Sequence, residues 1–203
     1  MAAIHIETLS SDTVSQACRV LAQAFVTNPI NMAAFGGSQL VRNEAFFRVG
    51  LAAMKGPKLV ATDGSRVLGL LHWAQSPDCQ FSPIEKFPMI PAMVKAVGLR
   101  SALRVASWQS VWSRHDPIAP HVHLGPLGVS PDAQRQHIGS RLMERYCEAL
   151  DRAGHAGYLE TDRSENVRFY SRFSFEVTAE VIVLGVPNYF MWRQARPVVA
   201  VAG

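Results

Sequence analysis

The stretch SPDAQRQHIGSRLMERY, residues 130–146, decides how this chain is read. A Pro-Asp turn leads into four donor-rich residues, Gln134 to His137. A glycine follows, and then an apolar pattern at helical spacing, which predicts a helix over about 137–152. Immediately upstream, HVHLGPLGV (121–129) reads as a strand interrupted at Gly125-Pro126. The first four N–H groups of a helix have no partner inside it, and the helix dipole leaves partial positive charge there. A polar loop running from a strand into a helix start therefore predicts an anion site at the strand's carboxyl end. Arg135 and Arg141 would add charge, and Ser140 a further donor.

Working outward, AGYLETD (156–162) reads as a strand, 165–173 as a helix, and FEVTAEVIV and NYFMWRQ as two closing strands. Towards the N-terminus, residues 3–8 form a short strand. A helix follows, capped by Ser11 or Asp12, with Val14, Ala17, Leu21 and Phe25 on one stripe. A second helix is expected over 39–54. KLVATDGSRVLGLLHWA reads as a hairpin turning at Asp63-Gly64, a dipeptide that tolerates positive φ. Residues 76–90 hold three prolines and read as a loop, followed by helical segments at about 91–98 and 101–114. The sum is one α/β (α+β) domain spanning 1–203, with a mixed sheet and a helical insertion at about 76–118.

Composition bounds the rest. The 203 residues suffice for a core without staples, and 48% hydrophobic with 18% charged is ordinary for a soluble globular protein. A net charge of +4 with no Lys/Arg run gives no nucleic-acid surface. No apolar run approaches a membrane span, and MAAIHIETLS lacks the features of a signal peptide. Three cysteines (18, 79, 147), odd in number and far apart, form no disulfide framework or zinc pattern, so a reducing cytoplasm is expected. The apolar tail ARPVVAVAG makes a homodimer contact one candidate use of the C-terminus.

Neither G-x-x-x-x-G-K-[ST] nor a strand-helix G-x-G-x-x-G occurs, which weakens kinase-like and dinucleotide readings. Residues 121–176 instead resemble the core of the GCN5-related N-acetyltransferases (GNAT), and in particular the puromycin N-acetyltransferase-like branch. The pieces that carry this are HLGPLGVSPDAQRQHIGSRLM, YLETDRSENVRFYSRFSFEV and the spacing between them. The family's acyl-CoA loop, Q/R-x-x-G-x-G/A, falls on Gln134-Arg135-Gln136-His137-Ile138-Gly139. The resemblance implies a mostly antiparallel sheet with splayed central parallel strands and flanking helices. It also implies that the pyrophosphate of acetyl-CoA lies on residues 134–140 and the pantetheine arm beside Leu127, Gly128 and Val129. Asn166 becomes a cofactor contact. His137 stands where the loop's first glycine is expected, and Ser174 where a glycine usually closes the last helix. Backbone angles at a helix start are ordinary, so His137 is expected to be unstrained.

Amine acetylation needs a deprotonated amine, a polarised thioester carbonyl and a proton for the departing thiolate. Tyr170 matches the family's helix tyrosine and is the candidate proton donor, although it also belongs to an apolar face. Glu160, His123 and His121 are the candidate bases. The i, i+2 histidines share a strand face and would suit a metal, but no third ligand is evident in the sequence and no metal is expected. Phe35, Trp73, Trp112 and Tyr189 are candidate walls of an acceptor pocket. The reading is an acetyl-CoA-dependent acetyltransferase acting on a small amine. A non-catalytic acyl-CoA sensor and a protein or peptide amine acetyltransferase are the alternatives.

Overall fold

The chain, described over residues 3–197 as a computed structural model, builds a seven-stranded sheet in the order β1-β2-β3-β4-β5-β7-β6. The strands are β1 (His5–Thr8), β2 (Lys58–Thr62), β3 (Val67–Gln75), β4 (Val122–Val129), β5 (Gly157–Thr161), β6 (Glu176–Val183) and β7 (Val186–Arg193). All neighbours pair antiparallel except β4 and β5, which run parallel. This is the expected mixed sheet. Residues 198–203 of the apolar tail lie outside the described residues.

Helices cover both faces, and period-two alternation along the strands assigns side chains to them. Val60 and Leu70 point to α1 (Val14–Phe25) and α3 (Leu40–Ala53). Their neighbours Ala61 and Leu71 point the other way, into the core beneath α6 (Ile138–Ala153) and α7 (Ser164–Ser171). Tyr146 of α6 donates its hydroxyl to the Val122 carbonyl at 2.6 Å, fixing that helix over the start of β4. A third cluster packs α2 (Pro29–Phe35) and α5 (Leu99–His115) against the end of β6 through Ile30, Phe35, Trp108 and Val183.

Most expected elements form, and the departures have local causes. Neither Ser11 nor Asp12 caps the first helix: both lie in a short 3-10 turn (Ser11–Thr13) that Ser10 begins, and Thr13 holds the N-cap position of α1. Residues 83–97, half of which read as a proline loop, form α4. Pro83 sits at the first helical position, where its missing N–H costs nothing, and Ser82 with Glu85 makes a capping box. Gly98 separates α4 from α5 as expected. The short α2 went unread. It starts on Pro29, and its first turn is capped from a distance: buried Asp162, beyond β5, accepts from the Ile30 amide at 2.6 Å and from Asn28 at 2.9 Å. No helix among the described residues is long and apolar enough to cross a membrane.

Gly56 lies at the turn between α3 and β2. Its φ is +88°, and a Cβ there would stand 2.3 Å from the Trp73 carbonyl oxygen. Gly56→Ala is expected to lower unfolding free energy by roughly 2 kcal/mol or more, since left-handed strain and a backbone clash add. Urea denaturation that leaves the midpoint unmoved would contradict this.

Candidate active site

The loop from β4 to α6 begins with a 3-10 turn (Pro131–Ala133), held by a short contact between the Ser130 hydroxyl and Asp132. Arg135 and His137 then both take the left-handed conformation, with φ of 63° and 60°. The expectation of ordinary angles at His137 is therefore wrong. The chain has to double back between the turn and the helix, and two left-handed residues two apart do this. Successive N–H groups in such a conformation form an anion-binding concavity. Among the described residues, the amides of 134–140 donate to no protein acceptor; the first engaged amide is that of Arg141, bonded to the His137 carbonyl. The side chains of Gln134 and Gln136 fold back onto the Val129 and Asp132 carbonyls, bracing the loop. Arg141 does not add charge to it, because its guanidinium donates to the Ile4 carbonyl. A Cβ on Gly139 would meet nothing closer than 3.7 Å, so space remains above the first turn of α6, beside Ser140.

Beside this loop the sheet opens. β4 and β5 pair only at Val122↔Gly157 and His123↔Tyr158. Beyond that point β5 continues on β7 and β4 on β3, leaving a cleft bordered by the exposed backbone of residues 124–129. A bulge accompanies the opening: Leu71 pairs Leu127 and Trp73 pairs Leu124, so Gly125 and Pro126 together oppose His72. A Cβ on Gly125 would lie 2.3 Å from His72 Nδ1, so only glycine admits that ring. The other ring nitrogen donates to the Lys55 carbonyl. Burial pulls His72 down to about 4, so the ring is neutral.

A cavity of about 220 Å³ extends from the cleft. Its lining includes Leu127, Glu160, Asn166 and Tyr170, with His72 and Trp112 across from the strand ends. Tyr170 is buried; burial foremost, then the Asp162 charge, raises its phenol well above the ordinary value, so it stays protonated. Glu160, whose side chain is 3% exposed, meets His123 Nε2 at 2.6 Å. Burial alone would lower His123, but the Glu160 charge, Cys79 and the bond to Glu160 outweigh it and lift the ring to about 10. At neutral pH His123 is thus a donor to Glu160, and the carboxylate is the acceptor of the pair. Asn166 donates to Thr161 Oγ1 at 3.1 Å while still facing the cavity.

The other expected residues scatter, for reasons of parity. Trp112 lines the cavity, its indole donating to Asn188 at 2.9 Å. Trp73 follows Leu71 to the opposite face and packs tilted against Tyr146, with ring centroids 5.7 Å apart. Phe35 is sealed in the core beside Phe46. Tyr189 lies one residue out of phase with Asn188, on the far side of β7 from Trp112, and does not reach the cavity lining. His121 shares a face with His123 but is fully enclosed, and it does not line the cavity either. Its Nδ1 donates to the Ala119 carbonyl at 2.9 Å, and its Nε2 faces Asp116 and Cys79. The third ligand-type side chain that the sequence did not reveal is therefore present, and so is a fourth. Cys79 precedes α4 and Asp116 follows α5, so no sequence spacing joins them to the histidines.

Residues 103–177 match the family model described as Acetyltransferase (GNAT) domain. Among solved structures, one from Corynebacterium glutamicum, described as histone acetyltransferase HPA2 and related acetyltransferase, shares 19% identity; 98% of this chain and 100% of that chain are covered, with a TM-score of 0.73. Arylalkylamine N-acetyltransferase 2 from Aedes aegypti follows at 15% identity, 95% and 99% coverage and a TM-score of 0.67. A GNAT family acetyltransferase from Brucella melitensis, in complex with acetyl-CoA, gives 18% identity, 98% and 92% coverage and a TM-score of 0.54. At these identities the likeness is one of fold: the chain has the GNAT fold.

Two outcomes follow from the site's strain and charge. His137→Gly is expected to raise stability by about 1 kcal/mol, because glycine takes the left-handed angles without cost; an equal or lower urea midpoint would refute the strain. His72 has a folded pKa of about 4, below its ordinary value. The unfolded chain therefore takes up the proton first, and stability present above about pH 6.5 is lost as pH falls towards 4. His72→Gln keeps a donor for Lys55 but removes that proton uptake. Its unfolding free energy should fall less than the wild type's between pH 6.5 and 4, and parallel curves would count against the assignment.

Proposed function

We propose that the protein transfers the acetyl group of acetyl-CoA to the amine of a small molecule by direct attack on the thioester. The observation that carries this is the conjunction of seven unpartnered amides (134–140) with a sheet that parts beside them. The amides and the start of α6 suit a diphosphate. The unpaired edge of β4 at Leu127 to Val129 suits the amide groups of a pantetheine arm, much as an added strand would pair there. The match of residues 103–177 to the acetyltransferase domain supports the same donor. Arg135, which has no partner among the described residues, adds charge at the diphosphate end.

When bound, acetyl-CoA supplies the thioester carbonyl and the departing thiolate. The backbone N–H groups of the parted strand polarise that carbonyl. Glu160, held by His123, faces the cavity and takes the proton that the attacking amine must lose. Tyr170, kept protonated by burial, delivers a proton to the sulfur as the C–S bond breaks. His121 is too enclosed to meet substrate. The walls contributed by α3 and α5, among them Trp112, close the cavity over an acceptor of small size, which favours a small amine over a polypeptide side chain. The sequence resemblance to the puromycin N-acetyltransferase-like branch supports the same class.

Calorimetric titration of acetyl-CoA followed by free-thiol release across a panel of small amines and peptides tests the whole reading. Binding with amine-dependent release is expected. Binding without release for any amine would favour the sensor, and no binding would remove the donor altogether. Tyr170→Phe should lower kcat by about 100-fold or more, the usual worth of a positioned proton donor, while leaving the acetyl-CoA Kd nearly unchanged. An unaltered kcat would overturn the role given to the phenol.

A further inference from the structure

We infer that Cys79, Asp116, His121 and His123 form a tetrahedral structural site for a divalent transition ion of the zinc class, which takes no part in the acetyl transfer itself. One ligand atom from each lies within 4.8 Å of all the others. His121 Nε2 stands 3.5 Å from Asp116 Oδ1, His123 Nδ1 stands 3.6 Å from the same oxygen, and Cys79 Sγ lies 3.8 Å from His121 Nε2. These are poor lengths for hydrogen bonds. They are close to the edges of a tetrahedron, which work out at roughly 3.3–3.6 Å for Zn–N and Zn–O near 2.0 Å and Zn–S near 2.3 Å.

The tautomers point to the same conclusion. A carbonyl can only accept, so His121 Nδ1 must carry the proton donated to Ala119, and in the neutral ring that metal binding requires the lone pair falls on Nε2, facing the cluster. The Glu160 carboxylate likewise requires the proton on His123 Nε2, and the lone pair falls on Nδ1. With both rings neutral, two lone pairs and a carboxylate oxygen would face one another, and both His123 Nδ1 and Asp116 Oδ1 are buried without a hydrogen-bond partner. Only protons or a cation relieve that arrangement, and at these separations a cation about 2 Å from each atom does so better. The outer hydrogen bonds, one to a backbone carbonyl and one to a carboxylate, are those that orient metal-ligating imidazoles. Thiolate, imidazole and carboxylate together select zinc-class ions over calcium or magnesium. The thiolate and Asp116 also balance a 2+ charge, with the thiol proton released on binding.

Placement gives the ion a purpose. Cys79 lies at the root of the helical insertion where it leaves β3, Asp116 where it returns, His121 immediately before β4 and His123 on it, at the β4–β5 pairs. An ion there staples both roots of the α4–α5 hairpin to the strand from which the cleft opens. Through His123 it also fixes the orientation of Glu160. Four protein ligands leave no open position, so the site is structural.

The test is metal binding by the full chain, read without acetyl-CoA or amine. After chelator treatment and dialysis, Co²⁺ should bind at one equivalent, with visible bands of tetrahedral intensity and a near-ultraviolet thiolate charge-transfer band. Zn²⁺ should displace it and raise Tm. Cys79→Ser should remove the charge-transfer band, and Glu160→Gln should weaken Zn²⁺ binding by about 10- to 100-fold through loss of the second hydrogen bond on His123. Far-UV circular dichroism monitors folding of each variant. If Cys79→Ser does not fold, the wild-type stoichiometry and spectrum decide alone. A protein that takes up no Co²⁺, or shows no thiolate band, or keeps that band unchanged in folded Cys79→Ser, overturns the site. Because acetyl-CoA affinity is measured separately, failure of the metal site and failure of the transferase reading are distinguishable.

Discussion

The parting of β4 from β5 is the constraint on which the rest of the molecule depends. Two parallel strands would ordinarily zip along their length, because each unpaired backbone group left away from water costs free energy. Here pairing stops after His123↔Tyr158, and the bulge at Gly125-Pro126 follows at once. Proline has no N–H to offer a ladder, glycine gives the His72 ring room, and a bulge bends its strand and increases its twist. That dipeptide therefore bends β4 while it stays paired to β3 on either side, and the edge that faces the cleft is left unpaired. The N-terminus of α6, the left-handed turn at Arg135 to His137 and the cavity all take their positions from that divergence.

Around the cleft, charge and burial act against one another, and the winner differs from residue to residue. Burial alone would keep both His72 and His123 neutral. His72 has only a backbone carbonyl as partner and is pulled down to about 4; His123 faces Glu160, Cys79 and Asp116 and is lifted to about 10. Cys79 shows the same contest: burial pushes its thiol up, while His121 and His123 pull it below the ordinary value. Asp116 is likewise drawn down by the two imidazoles against the effect of its burial. Two neighbouring regions of one cavity thus acquire opposite character, a neutral wall at His72 and a dense polar cluster at His123.

The α4–α5 insertion touches the sheet mainly at the end of α5, where Trp112 donates to Asn188, the Tyr158 hydroxyl donates to the His115 carbonyl and the His115 ring stacks on Phe190. Its other attachments include exposed ion pairs of Lys55 with Asp78 and Glu85, the packing of α4 on α3 and of α5 on α2, and the polar cluster at its roots. Exposed pairs of the first kind contribute about 0–1 kcal/mol each. Packing at Trp108 and Phe46 and the buried cluster are therefore what seat Trp112 over the cavity.

What the chain determined by itself was local. Periodicity, caps and turn dipeptides specified most elements, because they record interactions between residues a few positions apart. The β4-loop-α6 segment was legible for that reason and Gly125-Pro126 announced the bulge; Tyr170, read from a family motif, and Glu160, read from its strand position, both line the cavity. Where local signals competed, the reading failed: prolines masked α4, although Ser82 and Glu85 had already written its cap. Everything that needed the far side of a fold was decided only in three dimensions. Trp73 and Tyr189 fell on the wrong face because a one-residue change of phase exchanges faces, and phase depends on which strand lies alongside. His137 became left-handed because the loop had to reach α6. Cys79 and Asp116, separated from the histidines by chain that doubles out and back, met them only once the insertion closed on β4.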